Sequence, residues 1–402
     1  MINEIPIVMK RIQYIFLISF VCIKIQSNAQ LYVGSESMVQ ISSNATIGIT
    51  GDLYSNGKIY NTGIITLSGN FDNQNECIST GSLILNGNDQ SFYHKNVDIS
   101  NLTINGGGIK TINSNVSIFT KLDLSNGYVR PLQGTKIIIK KDASITLGST
   151  DSYVDGMLYF EGKGTHYYPI GKSKLFSPVE FQNIEGNDSL ILGMELINPA
   201  DVDMIAHKST KLLIKSRYYK SDVAVGTFTQ GQLALPYFDT DEFLLDLKIG
   251  VTQSLNPEGP YYMLKNIPDA QSKINETGIS YIVSQKPATL KYFAIGNYVN
   301  ADMSMLYIPN ALSQFAPDDK DRSIRVFGDV FEKEGFSFSI SNQWGNLIYK
   351  TSSLEEMKEK GWDGTNSRTG RREITGQYHF TMKAKTLDGD EYENAGSIYI
   401  ID

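Results

Sequence analysis

Cysteine is almost missing from this 402-residue chain, which has two, Cys22 and Cys77. Cys22 falls in an apolar N-terminal stretch, so Cys77 stands alone, with no disulfide frame and no cysteine-based metal site. Histidine is nearly as scarce. His94, His166, His207 and His379 are the four, and none stands at metal-ligand spacing from another His or Cys. There is no Gly-x-Ser-x-Gly elbow and no phosphate-binding glycine loop. The formal charge of −7 lacks the basic excess that nucleic acid or an anionic membrane surface selects. No apolar run reaches the length of a membrane-spanning helix, so no transmembrane segment is expected. No catalytic residue, cofactor or metal set is expected either.

What is there begins with a leader. Lys10 and Arg11 precede the apolar stretch Ile12 to Ile23, and Ser27-Asn28-Ala29 has small residues where a signal peptidase reads. Cleavage after Ala29 leaves 402 − 29 = 373 residues, enough for two or three domains. Residue 21 before Cys22 is Val, too large for an ordinary lipoprotein signal.

Residues 31–150 repeat. Short alternating strands end at glycine in Ile47-Gly48-Ile49-Thr50-Gly51, Ile65-Thr66-Leu67-Ser68-Gly69, Leu83-Ile84-Leu85-Asn86-Gly87 and Leu102-Thr103-Ile104-Asn105-Gly106, then again at Gly127 and Gly148. The glycines are 18, 18, 19, 21 and 21 residues apart, the period of a solenoid whose coils bury a common core. Glycine at the strand ends is expected to provide positive-φ corners, and Gly106-Gly107-Gly108 reads as one of them. Stacked hairpins are the other arrangement this pattern allows.

Residues 172–300 lose the repeat. Strand-like pieces at Leu190–Leu196, Lys211–Ile214, Phe243–Leu247 and Tyr292–Ile295 alternate with proline-marked turns, as in an antiparallel β-sandwich. Arg217-Tyr218-Tyr219-Lys220 and Pro260-Tyr261-Tyr262 are candidate surface patches, with one tyrosine of each pair expected in a core. Asp201, Asp203, Asp239, Asp241 and Glu242 read as surface charges.

The last hundred residues carry a set of motifs in order. Pro309 and Asn310 open it. Phe336, Phe338 and Ile340 alternate with serines, then come Asn342-Gln343-Trp344-Gly345, Gly361-Trp362-Asp363-Gly364, Gly376-Gln377-Tyr378-His379-Phe380 and a terminal strand. Ser353 and Glu356 have capping-box spacing for a short helix. Both tryptophans read as core anchors, and His379 falls on the solvent phase of its strand. His166, beside Tyr167 and Tyr168, reads as packing. Asp318, Asp319 and Asp321 crowd one loop, which suits calcium or plain solvation.

This motif order resembles the gliding-motility-associated C-terminal domain of the Bacteroidetes, over roughly residues 303–402. The repeat resembles the parallel β-helix segments that precede such domains. Two departures stand out: Leu312 to Asp321 replaces the family's Thr-Pro-Asn-Gly-Asp-Gly run, and Ser353 to Lys360 is inserted. The resemblance implies a type IX secretion substrate whose sorting motif is Pro309, Asn310, Asn342, Trp344, Gly345, Trp362, Asp363, Gly364, Gly376 and Tyr378.

The expected architecture is all-β: signal peptide 1–29, parallel β-helix-like solenoid 30–171, β-sandwich 172–300 and a C-terminal immunoglobulin-like β-sandwich 303–402. The expected role is a secreted or cell-surface structural or adhesion protein, not an enzyme. Its partners would be the type IX machinery and surface polysaccharide or other cells. The alternative is a polysaccharide-binding or polysaccharide-degrading protein that uses the solenoid groove. Against degradation, the repeat strands carry few charges and no carboxylate–arginine cluster recurs across coils.

Overall fold

The computed structural model describes residues 30–95, 98–244, 247–299, 301, 303–387 and 389–401, with Asp319 and Lys320 in backbone only. The expected leader, Cys22 included, lies outside them. The chain is nearly all β. No helix among the described residues is long and apolar enough to cross a membrane.

Residues 31–145 wind into a β-solenoid of about six turns. Each coil contributes a strand to three parallel ladders. The first ladder stacks Leu31–Val33, Leu53–Ser55, Phe71–Asn73, Gln90–His94, Ile109–Ile112 and Tyr128–Pro131. The other two begin at Met38–Ile41 and Thr46–Ile49 and are bridged by long strands such as Cys77–Leu85 and Val116–Leu124. Alternation along each strand sends one side chain in and the next out. The parallel register then stacks like on like: Leu53, Phe71, Phe92 and Ile112 form one inner column. Ile49, Leu67, Leu85, Ile104 and Leu124 form another. Burying each such side chain stabilises the stack by roughly 1.5–3 kcal/mol. Phe71 and Phe92 stack with centroids 4.9 Å apart.

The corners differ from the expectation in one respect. Gly106, Gly127 and Gly148 have positive φ (80°, 115° and 70°), as do Gly107 and Gly108. Gly87 does not owe its place to positive φ. A Cβ there would lie 1.9 Å from the carbonyl oxygen of Ser68 on the preceding coil. In the earlier coils, glycine is required because backbones of successive turns nearly touch.

Polar groups also enter the solenoid. Lys110 is buried, and its ammonium donates to the carbonyls of Gly87 at 2.5 Å, Asn88 at 2.6 Å and Gly107 at 2.5 Å. Burial pulls its pKa down to about 8, against the opposing pull of Asp89. Ser55, Asn73 and His94 make a polar inner column. Asn73 Nδ2 lies 3.3 Å from His94 Nδ1, while Asn73 Oδ1 and His94 Nε2 have no hydrogen-bond partner among the described residues. Cys77 is buried, and burial pushes its thiol up to about 12.

The second ladder runs on past residue 171. Leu158–Glu161 pairs in parallel with Ile137–Ile139 and antiparallel with Ile191–Ile197, the point where the solenoid pattern ends. The sheet continues antiparallel through Tyr218–Val225, Tyr292–Tyr298, Lys248–Ser254 and Tyr262–Lys265. A second sheet of Gly164–Tyr168, Val179–Gly186, Phe228–Pro236 and Tyr281–Val283 faces it, with Phe181 against Phe293 edge to face at 6.1 Å. One apolar cluster fills both solenoid and sandwich. Phe243 and Leu244 are not in a strand, contrary to the alternation of their neighbourhood.

Two surface expectations are corrected here. Tyr218 and Tyr219 are both buried, because their strand sits centrally in the sheet, whereas Tyr261 is the buried member of its pair as expected. Asp241 is not a surface charge: its carboxylate receives both terminal nitrogens of buried Arg217, at 2.6 and 2.7 Å. Of the candidate patches Pro260 and Tyr262 are exposed, Tyr262 resting on His207.

Residues 301–401 have their own core. Five strands in the order Ala311–Ser313, Glu391–Ile401, Gly376–Lys385, Ser337–Asn342 and Leu347–Thr351 form one sheet, the first pair parallel. Its inner face carries Phe338, Ile340, Phe380, Met382 and Ile398. The opposing layer consists of isolated bridges such as Ile324 with Trp362, plus the helix Leu354–Glu359. Ser353 caps that helix by accepting from Glu356 N at 3.1 Å. The Glu356 carboxylate instead takes Tyr349 OH and Thr351 Oγ1, so only half of the capping box forms.

Candidate functional site

The expected sorting residues fall in this last unit, and they do not converge on one spot. Trp362 is 1% exposed, meets Tyr378 edge-on at 5.5 Å and donates Nε1–H to the Thr365 carbonyl. Asp363 Oδ1 accepts from Thr365 N, and Gly364 (φ 84°) turns the chain. Tyr378 OH donates to the Ile374 carbonyl, just before Gly376 opens the strand. Pro309 is half-buried and exposed Asn310 accepts from Tyr399 N.

Trp344 is the correction. It is 73% exposed, not a core anchor. Asn342 Oδ1 accepts from Trp344 N and Asn346 N, and Gly345 takes φ 80°, so Asn342 to Asn346 is the tip of a hairpin. A side chain at such a tip has no core to reach. His379 is exposed, as its strand phase requires, and His166 packs on Phe160 at 5.0 Å while bonding the Gly162 carbonyl. The Asp318–Asp321 loop forms a short 3-10 turn, and no group of metal-ligating side chains occurs among the described residues.

Two clefts remain. The larger, about 670 Å³, lies where the third ladder stops and the second sandwich sheet begins. Two of its polar groups bind within the protein: Glu180 accepts from Ser272 Oγ and Lys273 N, and Tyr167 OH donates to the Leu147 carbonyl. That cleft is a joint.

The other, about 580 Å³, lies on the outer face of the first ladder. Register places Tyr32, Tyr54, Asp72 and Tyr93 in one outward column, coil upon coil. Tyr32 and Tyr54 stack with centroids 5.5 Å apart and planes 8° from parallel. Tyr54 OH donates to Asn56 Oδ1. Two positions earlier on successive coils stand Asp52, Asn70 and Ser91. Asp52 Oδ1 accepts from Asn70 N at 2.6 Å, Asn70 Oδ1 from Ser91 N at 2.7 Å, and Ser91 Oγ from Asn113 Nδ2 at 2.6 Å. These bonds fix the side chains to neighbouring coils. The face therefore offers upright rings beside pre-set amides, a hydroxyl and two carboxylates, on a wall braced by the Leu53–Phe71–Phe92 column.

None of these residues stood out in the sequence. The signal was present as coil-length spacing, 22 residues from Tyr32 to Tyr54 and 39 from Tyr54 to Tyr93, but it is read only once the coil lengths are known. No family model matches the chain, and no curated protein matches it.

Proposed function

We propose that this chain is a secreted or cell-surface structural and adhesion protein, exported by the type IX secretion system through residues 303–402, and that it is not an enzyme. The observation that carries the adhesion reading is the outer face of the first ladder. Tyr32, Tyr54, Asp72 and Tyr93 form a ligand-sized cleft on a solenoid whose core leaves nothing to open or close. Tyrosine combines an apolar ring with a polar tip and suits contact with hydrated polymers. The export reading rests on the ordered motifs from Pro309 to Tyr378. It is supported by the separate core of the last unit, as a portable address requires.

The test is attachment of host cells to polymer-coated surfaces and to other cells, comparing a deletion strain with one complemented by the full chain. Attachment restored only by the complemented strain supports the reading. Unchanged attachment in the deletion strain would contradict it.

A further inference from the structure

The cleft on the first ladder has a shape and charge that specify more than adhesion in general. Resting on the surface-adhesion reading above, we infer that it binds a neutral, linear glycan of extended pyranose units running along the solenoid axis.

Direction comes from the register. The column crosses the strands, so its groups repeat at the strand spacing of about 4.8 Å. The cleft spans coils from Leu31 to Asn113. A ligand that repeats along its length meets equivalent groups coil after coil, as a chain polymer does.

Contact comes from the interrupted tyrosine column. Tyr54 has one face on Tyr32, and its other side is toward the coil of Asp72. Tyr93 follows Asp72. Tyr54 and Tyr93 thus stand two coils apart, about 10 Å. The gap between them is open to the hydroxyls of a pyranose lying along the column. Asp72 lies at the floor of that slot. One of its oxygens accepts from Gln74 Nε2 at 2.5 Å. The other takes no hydrogen bond from a described residue, and so can accept from a sugar hydroxyl.

Charge selects the class. Among the described residues, Asp52 and Asp72 are the only ionic side chains lining the cleft, with no Lys, Arg or His. An anionic glycan would meet two carboxylates without a counter-charge, whereas a neutral one gains acceptors and the amides of Asn70 and Asn113. An extended peptide would be expected to add at an open sheet edge, where main-chain groups are unpaired. The cleft sits on a face whose inner strands are paired on both sides.

The experiment is calorimetric titration of the full chain with hexamers of β-1,4-linked glucose and of N-acetylglucosamine. A polygalacturonate hexamer and a lysine-rich peptide are titrated in parallel. Neutral hexamers are expected to bind with little dependence on salt, and the anionic one not at all. Tyr54→Ala or Tyr93→Ala is expected to weaken binding about tenfold, with Tyr54→Phe close to wild type. These side chains point outward, and circular dichroism verifies the fold. Should an alanine variant unfold, tyrosine fluorescence of the wild type must change on titration with the neutral hexamer. The assignment is overturned if no neutral hexamer binds, if the anionic hexamer or the peptide binds better, or if folded alanine variants bind like wild type. Attachment lost in the deletion strain but restored by the alanine variants would leave adhesion standing and remove the glycan.

Discussion

Asp390 of the C-terminal unit accepts a hydrogen bond from Lys265 of the middle sandwich at 2.5 Å, and its second oxygen pairs with Lys286. Lys208 reaches the other way, to Glu332 at 2.7 Å and Glu334 at 3.3 Å. No apolar cluster of the described residues joins the two units. The contact is ionic, while each side has its own core.

Docking should therefore loosen without unfolding either unit. Burial pulls the Asp390 carboxyl up, but the two lysines outweigh it and hold it below the ordinary range. A depressed carboxyl stabilises docking above its free pKa, near 4, and the contribution is lost as pH falls through the bound value. Asp390→Asn, or salt near 1 M, is expected to weaken docking by about 1 kcal/mol, since the groups are partly exposed. The readout is faster chymotrypsin cleavage near residue 300, between Tyr298 and Tyr307, with the last unit surviving as a fragment.

Two glycines within solenoid strands give a sharper contrast. A Cβ on Gly81 would lie 2.1 Å from the Gly63 carbonyl oxygen, a backbone atom that cannot swing away. Gly81→Ala should cost several kcal/mol, on the scale of overpacking with backbone displacement. Gly48 has nothing within 4 Å of its Cβ position, so Gly48→Ala should stay within about 1 kcal/mol of wild type, on either side. Denaturant midpoints of the two variants decide it.

His94 sets a pH dependence. Burial lowers its pKa from 6.5 to about 4, so the unfolded chain binds a proton that the folded chain refuses between those values. The neutral ring's contribution is complete above about pH 6.5 and falls away toward pH 4, up to about 3 kcal/mol. His94→Leu should remove that part of the slope. Stability curves of wild type and variant at pH 7 and pH 4.5 measure it; parallel loss in both would count against a buried neutral His94.

Much of this fold was legible because alternation and period act locally. The twenty-residue spacing of glycines marked the coils, and Phe336 to Ile340 marked a strand by phase alone. What escaped depends on distant partners. Gly87 looks like any turn glycine until the Ser68 carbonyl is placed against it. Asp241 looks like a solvated charge until Arg217 is folded onto it. Trp344 and Trp362 share a Trp-beside-Gly or Gly-Trp context, yet one tops a hairpin and the other fills a core. The tyrosine column escaped because its members are neighbours only through register, with Tyr54 and Tyr93 two coils apart.

The most direct test of the proposed role is fractionation of host cells expressing the intact chain beside a version truncated after Val299. The expected result is intact protein on the cell surface or in the medium, with the truncated form held in the periplasm. Equal export of both would contradict a sorting role for residues 303–402.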